Sequence, residues 1–225
     1  MSQEKPPRIT LTYLWREFLG AFNWDKGFMY TVKALALRPG AAIRNYLRED
    51  RSRYFNPVRF LVLTVAVSTL LLTELAVFEQ SGIFTEEVSS ENAIKFRETF
   101  YTFFTQYLNI FQLVTVPVFA LLSWLFFRRQ GYNYAEHLTM NAYVFGESTL
   151  LYILFIPVVY YSANIYLAIT VASIVYYQWA YVSFFGGKRW SVFFKSMVAI
   201  GLSYLVFTSV LIGAVIAYLS LSADG

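Results

Sequence analysis

The chain has 225 residues, of which 57% are hydrophobic, 20% aromatic and only 14% charged, with a mean hydropathy of +0.48. A soluble domain carries about a quarter charged residues, so this composition excludes the soluble classes. With no cysteine, one histidine and a net charge of +4, disulfides, thiolate chemistry and multi-histidine metal sites are excluded, and the basic excess points to a membrane surface, not nucleic acid.

In chain order, residues 1–58 read as a basic, aromatic helical segment at the cytoplasmic interface. Leu11, Leu14, Trp15, Phe18, Leu19 and Phe22 recur at helical spacing, with Arg16 and Glu17 on another face. Phe28, Thr31, Val32, Leu35 and Leu37 predict a second short helix, stopped at Arg38-Pro39-Gly40. Ala41 to Leu47 predict a third before the turn at Asn56-Pro57. Residues 1–59 hold eleven basic and five acidic residues, a net +6. Trp15, Arg16, Phe22, Trp24, Arg38, Arg44, Arg48, Arg51 and Arg53 are therefore expected to touch anionic headgroups or a protein partner.

The remainder, 59–225, reads as a five-helix membrane domain. Charges are absent from Thr99 to Phe127, Ser148 to Gly187 and Ser196 to Ala223, and a helix needs about 20 apolar residues to cross a bilayer. The expected spans are about 59–79, 100–127, 137–160, 164–185 and 191–220. The fold class is therefore all-α, a polytopic integral membrane protein preceded by short amphipathic helices. Arg128, Arg129, Lys188 and Arg189 fall in the same-side connections as the basic N-terminal segment. The positive-inside bias then sets the N-terminus in the cytoplasm and the C-terminus outside, in a cytoplasmic (inner) membrane, without a cleaved signal peptide.

Polar residues inside spans are functional candidates because they are costly there. Glu147 lies eleven residues after Glu136, about 16 Å along the helix and near the midplane; Gln178 is its expected partner by depth. Glu74 is matched in depth by Gln106 and Asn109. A proton or cation relay through Glu147 and Glu74 is one reading, and packing specificity is the other. Ser209, Gly213 and Ala217 form a small-residue stripe that suits helix packing, within the chain or against a partner. Phosphate-binding loops and nucleophile triads are missing, which leaves acid–base chemistry by Glu136 and His137 as the one enzymatic option.

The motifs Phe22-Asn23-Trp24-Asp25-Lys26-Gly27-Phe28, Leu37-Arg38-Pro39-Gly40, Ile43-Arg44-Asn45-Tyr46 and Arg53-Tyr54-Phe55-Asn56-Pro57 form an ordered block. With Tyr134-Ala135-Glu136-His137-Leu138, they resemble the bacterial membrane-protein family catalogued as domain of unknown function thirty-six sixty-seven. Its members often begin with a zinc ribbon and carry more histidines after the Glu-His pair; here there are no cysteines, and Asn141 and Tyr143 follow. The five-span layout is also loosely similar to Yip-like proteins. These likenesses imply a membrane fold and no biochemistry. The expected function is thus a non-enzymatic scaffold, accessory subunit or lipid-interacting factor, with a small proton- or ion-linked transporter or channel as the alternative. No cofactor or metal is expected. The expected partners are anionic lipids and a membrane complex or second copy.

Overall fold

The computed structural model describes residues 10–12, 27–75, 91–159 and 163–223. Eight helices carry the fold: α1 Phe28–Leu37, α2 Pro39–Arg48, α3 Pro57–Glu74, α4 Glu91–Gln106, α5 Leu108–Phe127, α6 Tyr134–Val159, α7 Ala163–Phe184 and α8 Arg189–Ala223. No strand occurs among the described residues. Of these, α3, α5, α6, α7 and α8 are long and apolar enough to cross a bilayer. Trp15, Arg16, Phe22 and Trp24 lie outside the described residues, as do residues 160–162 between the third and fourth expected spans.

Local chemistry sets the boundaries. Asn56 caps α3, its Oδ1 accepting from Val58 N at 2.9 Å and Arg59 N at 3.2 Å, with Pro57 in the first turn where no amide partner is needed. Arg38 ends α1 and starts α2, again with proline just inside the new helix. Asn133 and Glu136 cap α6 reciprocally: Asn133 N donates to Glu136 Oε2 at 2.7 Å, and Glu136 N to Asn133 Oδ1 at 2.9 Å.

One break departs from the sequence pattern. The helix expected over 100–127 is divided at Tyr107 into α4 and α5. No proline or glycine marks this point; the aromatic packing of Phe103 on Tyr107, Phe111 and Tyr218 stabilises the joint instead.

At the centre stands α6, packed against α3, α5 and α7, while α8 lies on α5 and α7. The apolar window of α6 is 61% buried and that of α8 only 22%, so α8 forms an outer wall. Its stripe points outward: Ser209, Gly213 and Ala217 are exposed, and no atom outside its own helix backbone stands within 4 Å of a Cβ built on Gly213. Gly213 thus meets no other helix among the described residues.

Helices α1 and α2 form a hairpin set into the bundle end that carries Arg128, Arg129, Lys188 and Arg189. Leu35, Ile43, Tyr46 and Phe55 share one core with Phe119, Tyr143, Tyr181 and Phe184 of the long helices. Buried hydroxyls tie the two parts together. Tyr143 Oη donates to Phe55 O at 2.6 Å and Tyr176 Oη to Leu35 O at 3.4 Å, while within the N-terminal part Thr31 Oγ1 accepts from Phe55 N at 2.7 Å. Residues 28–55 therefore cap the helices through a continuous aromatic core.

Candidate functional site

The hairpin seats on the end of α7 through two residues of α2. Gly40 presents bare backbone to Ser183 and Phe184, so close that an added Cβ would stand 2.2 Å from the Ser183 carbonyl. Gly40 N also donates to Ser183 Oγ at 3.0 Å. One turn on, Arg44 Nη1 donates to Ser183 O and, at 2.9 Å, to Phe184 O. These carbonyls are at the last turn of α7, where unsatisfied acceptors and the negative end of the helix dipole favour a cation.

This seating brings distant basic residues to one place. A cavity of about 800 Å³ opens at the basic end, lined by Arg44, Arg48 and Arg189 with Gln130, Tyr132 and Trp179. Each wall is held from behind. The Arg48 guanidinium lies 4.7 Å from the Tyr132 ring centre, Tyr132 packs on Phe184 at 4.6 Å, and Phe127 stacks on Phe185 at 3.9 Å. Gln130 Nε2 donates to Gly186 O at 2.7 Å and joins the two basic connections across the rim. Burial raises the Tyr132 phenol above its ordinary range, with Arg48 and Arg44 pulling the other way. It therefore stays a neutral donor at physiological pH. No carboxylate lines the cavity among the described residues. Three guanidiniums, an amide, a phenol and an indole line it, donor groups of the kind that suit an oxyanion.

The expected contact arginines thus divide. Arg44 bonds to the α7 carbonyls. Arg51 bonds back to Tyr46 O and Leu47 O, both at 3.3 Å, and so caps α2. Arg53 lies over the Tyr30 ring at 5.7 Å, and Arg38 is exposed at the hairpin turn. Of the five expected contact arginines among the described residues, Arg44 and Arg48 line the cavity, joined by Arg189.

Deeper polar residues pair differently from their matching by depth. Gln178 Nε2 donates to Phe193 O of α8 at 2.8 Å and is not Glu147's hydrogen-bond partner. Equal depth did not place them on facing sides. Glu147 is 3% exposed and leaves Oε2 without a partner among the described residues. Glu74, Gln106 and Asn109 are all exposed at the far end, and Asn109 Oδ1 accepts from the adjacent Ile110 N. The break at Tyr107 moves the polar link between α3 and α5 to Gln112, which accepts from Ser68 Oγ at 2.9 Å and donates to Thr69 Oγ1 at 3.4 Å.

Beneath the cavity lies a network with a single foreshadowed member. His137 Nδ1 lies 2.9 Å from Ser123 Oγ; Asn141 Nδ2 donates to Ser123 Oγ at 3.2 Å and to His137 O at 2.8 Å; Tyr181 Oη donates to Asn141 Oδ1 at 2.7 Å. It locks α5, α6 and α7 together. His137 is fully buried and Glu136 is engaged as a cap, so the two do not form an exposed acid–base pair. The four-residue spacing of His137 and Asn141 is a readable sign of a shared helix face; Ser123 and Tyr181 carry none.

A family model described as "Protein of unknown function (DUF3667)" matches residues 25–69. That window holds α1, α2 and most of α3, including Gly40, Arg44, Arg48 and the Asn56-Pro57 cap. The stretch Tyr134 to Leu138 lies outside it. No curated protein and no solved structure matches the chain.

Proposed function

We propose that this helical membrane protein is a non-enzymatic lipid-interacting factor that holds the phosphate-bearing headgroup of an anionic lipid in the arginine-lined cavity. Its basic end then faces the cytoplasm, with the N-terminus inside and the membrane the inner one of a bacterium. The observation that carries this is the convergence of Arg44, Arg48 and Arg189, from opposite ends of the chain, on a cavity with no acid among the described residues of its wall. Scaffold or accessory-subunit roles are compatible with it, since a held lipid can bridge to a partner. Each cation near an anionic leaflet contributes about 1 kcal/mol.

Titration of phosphatidylglycerol into phosphatidylcholine nanodiscs, followed by native mass spectrometry of the bound lipid, tests this. The Arg48→Gln/Arg189→Gln variant is expected to bind phosphatidylglycerol about tenfold more weakly or worse, and the wild-type preference should shrink with added salt. An unchanged preference in the double variant would overturn the proposal.

A second reading, a proton- or cation-linked transporter, is favoured by one observation: the buried Oε2 of Glu147, without a partner among the described residues. On that reading Glu147→Gln folds normally and loses cation-driven flux in proteoliposomes. Flux equal to wild type, or no wild-type flux at all, rejects it. Glu74, the second acid of this reading, is exposed at the far end of α3.

A further inference from the structure

Helix α1 is 10 residues long, and Lys33 is its one charged residue. It extends about 15 Å, half of what a bilayer span requires. Thr31 and Leu35 on one side are buried against the bundle. The other side, Met29, Tyr30, Lys33, Ala36 and Leu37, is exposed, Met29 at 74% and Leu37 at 61%. Helix α2 of the same hairpin shows the reverse chemistry, for the residues exposed at its end are Arg48 and Glu49. The hairpin thus turns an apolar side outward on one helix and a charged side outward on the other.

The depth of α1 follows from what it touches. With 18 and 22 residues, α3 and α7 are about 27 and 33 Å long, close to the hydrocarbon thickness of about 30 Å. Their ends at the basic side therefore lie near the hydrocarbon edge. The Phe28 ring meets Phe60, three residues inside the start of α3, at 5.6 Å between centres. Tyr176, about 12 Å before the end of α7, donates to Leu35 O at 3.4 Å. Both ends of α1 are thus held below the ends of the spans. At comparable depth on those spans Val62 and Val175 are exposed, on the surface that lipid covers.

The backbone fits the same placement. A helix that ends in poorly hydrated surroundings needs partners for its last carbonyls, because a free one is costly there. In α1, Ala34 O accepts from Arg38 N at 2.9 Å and Leu35 O accepts from Tyr176. From these observations we infer that α1 is inserted in the membrane. It lies within the leaflet at the basic end, with Met29, Ala36 and Leu37 against acyl chains and Lys33 extended to the phosphates, while the charged side of α2 faces water. This placement does not depend on headgroup capture in the arginine-lined cavity.

The chain has no cysteine, so single spin labels can be placed on the full-length protein. In vesicles of phosphatidylcholine and phosphatidylglycerol, collisions of the nitroxide with oxygen and with a water-soluble nickel chelate give its depth. Labels on Met29→Cys and Leu37→Cys should lie roughly 5–10 Å below the phosphates, open to oxygen and shielded from nickel. A label on Leu205→Cys, on the exposed side of α8, supplies the lipid reference, and one on Glu49→Cys the aqueous reference. The same depths are expected in the Arg48→Gln/Arg189→Gln background, because Phe60 and Tyr176 hold α1. A normal melting profile for each labelled variant establishes that its fold is intact. Nickel access at Met29 and Leu37 equal to that at Glu49 would place α1 in water. Low access to both reagents would mean that protein covers it, and either result would overturn the inference.

Discussion

Gly40→Ala should cost about 3 kcal/mol or more and detach the N-terminal hairpin from the end of α7. The new methyl would stand 2.2 Å from the Ser183 carbonyl carbon and oxygen and 2.5 Å from Phe184 N. All three are backbone atoms of a long helix that cannot turn aside as a side chain can. Relief requires α2 to move away as a unit, which lengthens the Arg44 bonds to α7 and opens the arginine-lined cavity. Thermal unfolding in detergent measures the loss. Gly201→Ala and Gly213→Ala are the controls, because nothing stands within 4 Å of a Cβ at either position. They should be neutral or gain about 0.5–1 kcal/mol from better helix propensity. If Gly40→Ala melts with the controls, the hairpin does not seat on α7 through this contact.

Asn141→Ala should have the next largest effect, about 2–3 kcal/mol, by removing both the acceptor of Tyr181 and a donor to Ser123 and the His137 carbonyl. The groups left behind are buried among apolar neighbours, so they cannot recover these bonds from water. The physical claim can be separated from simple loss of volume. Asn141→Leu alone should be costly, whereas Asn141→Leu with Tyr181→Phe should recover part of the stability, because the stranded hydroxyl is then gone. Equal melting of the single and double variants would mean that the network contributes little beyond packing.

The five long helices were legible because hydrocarbon excludes charge, so uncharged runs mark spans with little dependence on tertiary context. Hairpin and cap boundaries were legible at Arg38-Pro39-Gly40 and Asn56-Pro57 because proline restricts the backbone on both sides of itself. The division at Tyr107 carries no such residue and depends on how Phe103 packs against Phe111 and Tyr218 from other turns. Depth was readable and direction was not. A rise of about 1.5 Å per residue put Gln178 near the level of Glu147, but only packing decides that Gln178 turns to Phe193. Likewise, a basic segment looks alike whether its arginines face lipid or helix carbonyls. That Arg44 meets Ser183, 139 residues away in sequence, follows from the seating of α2 and from no local pattern.

An anionic headgroup is proposed to occupy the cavity at the basic end. Photocrosslinking with a phosphatidylglycerol that carries its reactive group on the headgroup, followed by peptide mapping, tests this most directly. The expected adducts fall on Arg44 to Arg48 and Trp179 to Arg189, disappear in Gly40→Ala, and are absent with the equivalent phosphatidylcholine. Adducts spread evenly over the exposed basic residues, or equal labelling by both lipids, would contradict it.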